Sequence, residues 1–202
     1  MFEDQLVPEV YPLAWLVGSW RGEGSIGYGP VKPGRIRQEV DFDAADGPYL
    51  SYRARTWLLP GGDSEADSAR TGSGGESRKG RAAGTTPADP DVQPHEDTTL
   101  WHEEAGFWRV TPGQTQADPP FEIEVLISDS AGYQSLYLGQ VNGPRVDLAT
   151  DAVIRTASAP EVNAATRLYG LVNGDLLWAW DIAGFGHPLG SYMAAQLRRR
   201  PA

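Results

Sequence analysis

Cysteine is absent from all 202 residues, which excludes a disulfide framework, a thiolate metal site and a cysteine nucleophile, and is compatible with a reducing intracellular compartment. Long apolar runs are absent as well. Leu176–Trp180 is as long a stretch as any, far short of the roughly 20 residues a helix needs to cross a bilayer. The chain opens Met1-Phe2-Glu3-Asp4-Gln5-Leu6, acidic where a secretory leader is basic and followed by no apolar segment, so a soluble, cytoplasmic protein is expected. Positive charge is in the minority: 17 Lys and Arg against 27 Asp and Glu leave a formal charge of -10. That excess repels phosphate backbones and anionic headgroups, so neither nucleic acid nor a membrane surface is expected as a partner. The one basic cluster, Arg198-Arg199-Arg200, reads as a solvated tail. No Ser/His/Asp set, phosphate-cradling glycine loop or carboxylate pair with a supporting base is found.

What the chain does have is alternation. In Phe121-Glu122-Ile123-Glu124-Val125 the apolar residues fall on one face of a strand and the glutamates on the other. Ile36, Val40 and Phe42 alternate in the same way with Arg35, Arg37, Glu39 and Asp41. Asn173-Gly174 predicts a tight hairpin, because a type I′ turn needs positive φ at both central residues, and Asn142-Gly143 predicts another, with pairing resuming off-register at Pro144. The seven tryptophans (Trp15, Trp20, Trp57, Trp101, Trp108, Trp178 and Trp180) are read as strand residues packing on a pleated surface, not as a stacking platform for bases. Eight to ten antiparallel strands in sequence order are expected, a number that closes into a barrel able to hold one small ligand.

Between Pro60 and Asp97 the only large apolar residue is Val92, so the stretch at about 61–97 is read as a disordered insertion between two strands of a single domain spanning 1–202. His95 falls within it and is expected to be solvated. His102, beside Trp101 and Glu103, is expected at the surface or in a cross-strand hydrogen bond, since no second histidine stands at metal spacing. Met193–Leu197 suits a helix by propensity as well as a strand.

Gly18-Ser19-Trp20-Arg21-Gly22-Glu23-Gly24 resembles the Gly-x-Trp-x-Gly-x-Gly signature of the nitrobindins, haem-binding β-barrels related in shape to fatty-acid-binding proteins. Four further stretches are similar to that family: Gln38–Phe42 with Pro48–Tyr52, His102–Arg109, Glu122–Val125, and the closing Gly186-His187-Pro188-Leu189-Gly190-Ser191-Tyr192 leading into an apolar strand. The resemblance implies a ten-stranded antiparallel barrel, all-β, with Met193–Leu197 as its closing strand. It also implies a possible haem b, whose iron would bind nitric oxide and isomerise peroxynitrite to nitrate.

Two positions depart from the family pattern. Where the family carries its iron-ligating histidine, counted from Pro188-Leu189, this chain has Tyr192. Where the family has Tyr-Pro-Thr-Ile, with the threonine close to the haem, this chain has Tyr28-Gly29-Pro30-Val31, and Pro30 offers neither hydroxyl nor N–H. No bound cofactor and no catalytic residue are therefore expected. The reading adopted is a nitrobindin-like barrel that lacks ordinary ferric haem binding and takes a small apolar or amphipathic ligand. One rival is a haem protein with peroxynitrite isomerase activity, its iron held by Tyr192 as a phenolate or by His187, the residue in the family's glutamine place. The other is an interaction scaffold whose barrel is filled by its own side chains. Oligomeric state is not legible in the sequence.

Overall fold

In the computed structural model the described residues are 6–44, 46–60, 98–114 and 118–201. The expected insertion at 61–97, with His95, lies outside them. Among the described residues ten strands follow one another: β1 (Gly18–Tyr28), β2 (Val31–Ala44), β3 (Leu50–Leu58), β4 (Thr99–Val110), β5 (Phe121–Asp129), β6 (Tyr133–Val141), β7 (Arg145–Arg155), β8 (Val162–Val172), β9 (Asp175–Gly184) and β10 (His187–Arg199). Each pairs antiparallel with the next, and β10 returns to β1 in the register Trp20↔Arg199 through Ile26↔Met193, so the sheet closes. Closure removes both free edge strands, although β7 and β8 pair only from Arg145↔Gly170 to Ala149↔Thr166.

The alternation sets the inside. Ile123 and Val125 on β5 and Ile36, Val40 and Phe42 on β2 are buried, while Glu122 stays outside. Met193, Ala195 and Leu197 are the buried residues of β10, which settles that segment as a strand. Asn173 and Gly174 both have positive φ, 53° and 89°, between the paired residues Val172 and Asp175, the hairpin expected there. At the β6–β7 turn the expectation needs correcting. The Asn142 N–H donates to the Arg145 carbonyl at 2.9 Å and Val141 faces Val146, so Gly143-Pro144 forms the turn and pairing resumes in register.

A 3-10 helix over Pro8–Leu16 precedes the barrel, and Trp15, expected in a strand, lies in it. Its signal is a period of three: Val10, Leu13 and Leu16 stack on one face, as i and i+3 residues do in this helix type, and all are at most 1% exposed. The Leu16 carbonyl accepts the Trp20 indole N–H at 2.8 Å. The helix closes the end of the barrel where β1 begins. Above it, the rings of Phe42, Tyr52, Trp108, Tyr169 and Trp178 make a chain of contacts with centroids 5.1–5.8 Å apart, filling that half of the interior. No helix among the described residues is long and apolar enough to cross a membrane.

Candidate functional site

At the end opposite the helix the interior is not filled. A cavity of about 350 Å³ remains, within the size range of small-molecule sites. Six rings line it, those of Trp101, Tyr133, Tyr137, Trp180, Phe185 and Tyr192, together with aliphatic side chains such as Val31, Val153 and Ile182. The polar lining includes His102, Asp129 and Ser135, and among the described residues no lysine or arginine belongs to the wall.

Two bulges build the mouth. On β10 the inward residues are Met193, Ala195 and Leu197, so strict alternation would turn Tyr192 outward. Ser191 pairs with Asp181 and Met193 with Trp180, which leaves Tyr192 as an extra residue, and the bulge aims its ring at the cavity. On β4, Thr56 faces His102 and Trp57 faces Leu100, leaving Trp101 as the extra residue beside inward-facing His102. Tyr192 stands edge-on to Trp180, centroids 5.0 Å apart at 85°, and its hydroxyl accepts the Trp101 indole N–H at 3.4 Å.

His187 and Pro30 sit elsewhere. Pro30 is exposed in the β1–β2 turn beside Gly29, whose φ is 53°, while the neighbouring Val31 reaches the cavity. His187 is exposed, lies edge-on to Tyr28 and is not among the cavity-lining residues. The Tyr28 hydroxyl lies 2.9 and 2.7 Å from the carbonyls of His187 and Pro188 and accepts the Gly184 N–H at 3.2 Å. This clamp holds the β9–β10 turn, where Phe185 takes a positive φ of 52° that a bulky residue rarely adopts.

The glycine motif lies away from the cavity, along the seam of β1 and β10. A Cβ on Gly22 or Gly24 would come within 2.0 Å of the Gln196 or Ala194 carbonyl oxygen, and one on Gly18 within 2.6 Å of Arg199. Trp20 is buried under the Arg199 guanidinium, 4.1 Å from the ring centroid. In this fold the motif closes the barrel.

Beneath the cavity lies a polar cluster that the sequence did not disclose. Glu104 and Arg167, 3% and 2% exposed, form a two-pronged ion pair in which Arg167 Nη1 donates to Oε2 at 3.0 Å and Nη2 donates to Oε1. Tyr52 donates its hydroxyl proton to Glu104 Oε2 at 2.7 Å, and His102 Nε2 lies 3.3 Å from Oε1. Arg167 also donates to the hydroxyls of Tyr137 at 3.2 Å and Tyr169 at 3.3 Å, and its guanidinium lies 4.1 Å from the Trp180 ring centroid. Burial by itself would raise the Glu104 pKa, but the charge and hydrogen bonds of Arg167, with His102, hold it well below the usual carboxylate range. Burial pushes the Tyr169 phenol up to about 12. His102, expected at the surface or in a cross-strand bond, is 7% exposed and bonds to a residue of its own strand inside the barrel. The period-two pattern of β4 contained the signal: Glu104 shares parity with His102 and buried Trp108, a carboxylate on the core face.

The residue that would face a haem iron at this position is the phenol of Tyr192. A phenol ligates ferric iron as phenolate, whereas burial raises the Tyr192 pKa above its ordinary 10.0, the Trp101 bond opposes this, and the charges of Glu104 and Asp129 reinforce it. The nearby Arg167 is committed to Glu104.

Comparison with known proteins places this arrangement in a family. Residues 9–199 match the model of the THAP4-like, heme-binding beta-barrel domain. A ferric nitrobindin-like protein of Beutenbergia cavernae is 39% identical, covering 97% of this chain and 96% of its own length. Relatives named peroxynitrite isomerase, from Kocuria rhizophila and Leifsonia xyli subsp. xyli, are 40% and 39% identical, each over 96% of this chain and over 92% and 96% of their own lengths. The crystal structure of Rv2717c from M. tuberculosis superposes with a TM-score of 0.68 over 97% of this chain and 99% of that one, at 24% identity, a likeness of fold. With nearly the whole chain matched, and by relatives covered over 92% or more of their own lengths, this protein belongs to the family of THAP4-like, heme-binding β-barrels, the nitrobindins.

Proposed function

We propose that this protein is a soluble, cytoplasmic nitrobindin-like barrel that takes a small apolar or amphipathic ligand and lacks the histidine-ligated ferric haem binding of its family. One observation carries the reading. The side chain at the position matching the family's iron ligand, Tyr192, is a phenol engaged by Trp101 and Trp180, in a cavity that is still open. Pro30, in the threonine place, supports it from the β1–β2 turn, with no hydroxyl to offer. The interior also speaks against a filled scaffold, because the core rings occupy the helix end and leave about 350 Å³ at the other.

A second reading rests on the relatives named peroxynitrite isomerase: ferric haem in the same cavity with that activity. An absorbance titration with hemin, run on wild type and Tyr192→His side by side, separates the two. The expected result is no saturable one-to-one Soret change in wild type and a clear one in the variant. A saturable wild-type complex with a phenolate-type ferric spectrum would overturn the proposal and make Tyr192 an iron ligand.

A further inference from the structure

We infer that the cavity is built for an organic ammonium: a small ligand with a ring- or alkyl-bearing apolar body and a positively charged nitrogen carrying N–H donors. The inference rests on the reading of the cavity as a ligand site and names the class of ligand.

The charge balance of the wall leads to it. Among the described residues no lysine or arginine lines the cavity, so a carboxylate or phosphate entering it would meet neither. Arg167, beneath the floor, is not free to serve as one. Its two terminal nitrogens are bound to Glu104, its donors also reach Tyr137 and Tyr169, and the Trp180 ring covers its guanidinium. Glu104 and Arg167 cancel each other, which leaves Asp129 as the wall's own charge. Asp129 Oδ1 accepts the N–H groups of Ala131 at 2.9 Å and Tyr133 at 3.1 Å, and among the described residues the carboxylate has no ion-pair partner. A ligand cation would pair with this partly buried carboxylate.

Trp180 Nε1–H is a buried donor in the wall without an acceptor, but the other groups favour a cation. Tyr133 spends its hydroxyl proton on the Pro160 carbonyl, at 2.6 Å. The six rings add faces of negative potential, to which an ammonium is drawn and an anion is not. A carboxylate with no lysine or arginine beside it among the described residues, and ring faces, are together the complement of an alkyl- or arylammonium.

Three probes of matched ring and chain test this: 2-phenylethylammonium, 2-phenylethanol and 3-phenylpropanoate, each titrated at pH 7 with tryptophan fluorescence and calorimetry as readouts. The ammonium is expected to bind about ten-fold more tightly than the alcohol, with the carboxylate weakest, a ratio in keeping with a cation on desolvated rings beside a carboxylate. Asp129→Asn keeps an oxygen to accept from Ala131 and Tyr133, and it is expected to weaken the ammonium about ten-fold while leaving the alcohol unchanged. Alcohol or carboxylate binding as tight as the ammonium's, or an ammonium affinity unmoved in Asp129→Asn, would overturn the inference and leave the cavity standing as a ligand site. Failure of all three probes to bind would overturn both.

Discussion

Trp101 and Tyr192 meet across the mouth of the barrel, indole N–H to phenol oxygen at 3.4 Å, although β4 and β10 are not neighbours in the sheet. Each is the residue left without a partner by a bulge in its own strand. A bulge turns a side chain that alternation would send outward, and here two of them turn aromatic side chains toward one opening. The two bulges thereby place an indole and a phenol side by side in the cavity wall.

Removing one member of the buried ion pair should be costly. Glu104→Gln leaves the Arg167 charge inside the barrel without its counter-charge, and a loss of about 3–5 kcal/mol is expected in urea unfolding at pH 7. Glu104→Gln combined with Arg167→Met removes both charges and should recover much of that loss. If the double variant is as unstable as the sum of the single ones, the pair is not the unit described here.

The same pair sets an acid limit. The folded pKa of Glu104 lies below its unfolded value of about 4.5, so its contribution is complete above pH 4.5 and is lost as the pH falls toward the folded pKa. At high pH the sign reverses for Tyr169, whose folded pKa is raised from 10.0 to about 12. Folding favours its protonated form, so the contribution is present below pH 10 and disappears between pH 10 and 12. Thermal unfolding across the two windows should show wild type losing stability in both, with Tyr169→Phe losing less in the alkaline one. An equal alkaline loss in the variant would show that other groups govern that limit.

The seam of the barrel should not tolerate a single methyl. Gly24→Ala puts a Cβ within 2.0 Å of the Ala194 carbonyl oxygen, and the obstacle is backbone that cannot rotate away. A loss of roughly 1–3 kcal/mol or more is expected from such overpacking. Gly143→Ala is the comparison, because nothing lies within 4 Å of its Cβ and its cost, from a positive φ of 55°, is a turn effect alone. Urea midpoints for the two variants check this, and an equal loss in both would remove the seam from the account.

Strand identity, the order of the barrel and the inward faces were legible in the sequence, because each depends on local properties: period-two alternation, Asn-Gly turn chemistry and the absence of apolar runs long enough for anything else. The 3-10 helix was legible in principle from the three-residue spacing of Val10, Leu13 and Leu16, but a period of three over nine residues carries little weight until a barrel end is there to cover. The place of Tyr192 at the family's ligand position came from resemblance. That its side chain reaches the cavity depends on a one-residue slip of β10 against β9. Glu104 and Arg167 are 63 residues apart, and nothing local to either announces the other. Each reads alone as a charged residue within an alternating strand. Only closure of the sheet brings them together in the interior, and only there, away from water, does a carboxylate need its arginine and the arginine its tyrosines. The sequence by itself determined the barrel and what it excludes; tertiary structure decided which polar residues meet inside it, because burial and long-range pairing are properties of the closed sheet and not of any strand.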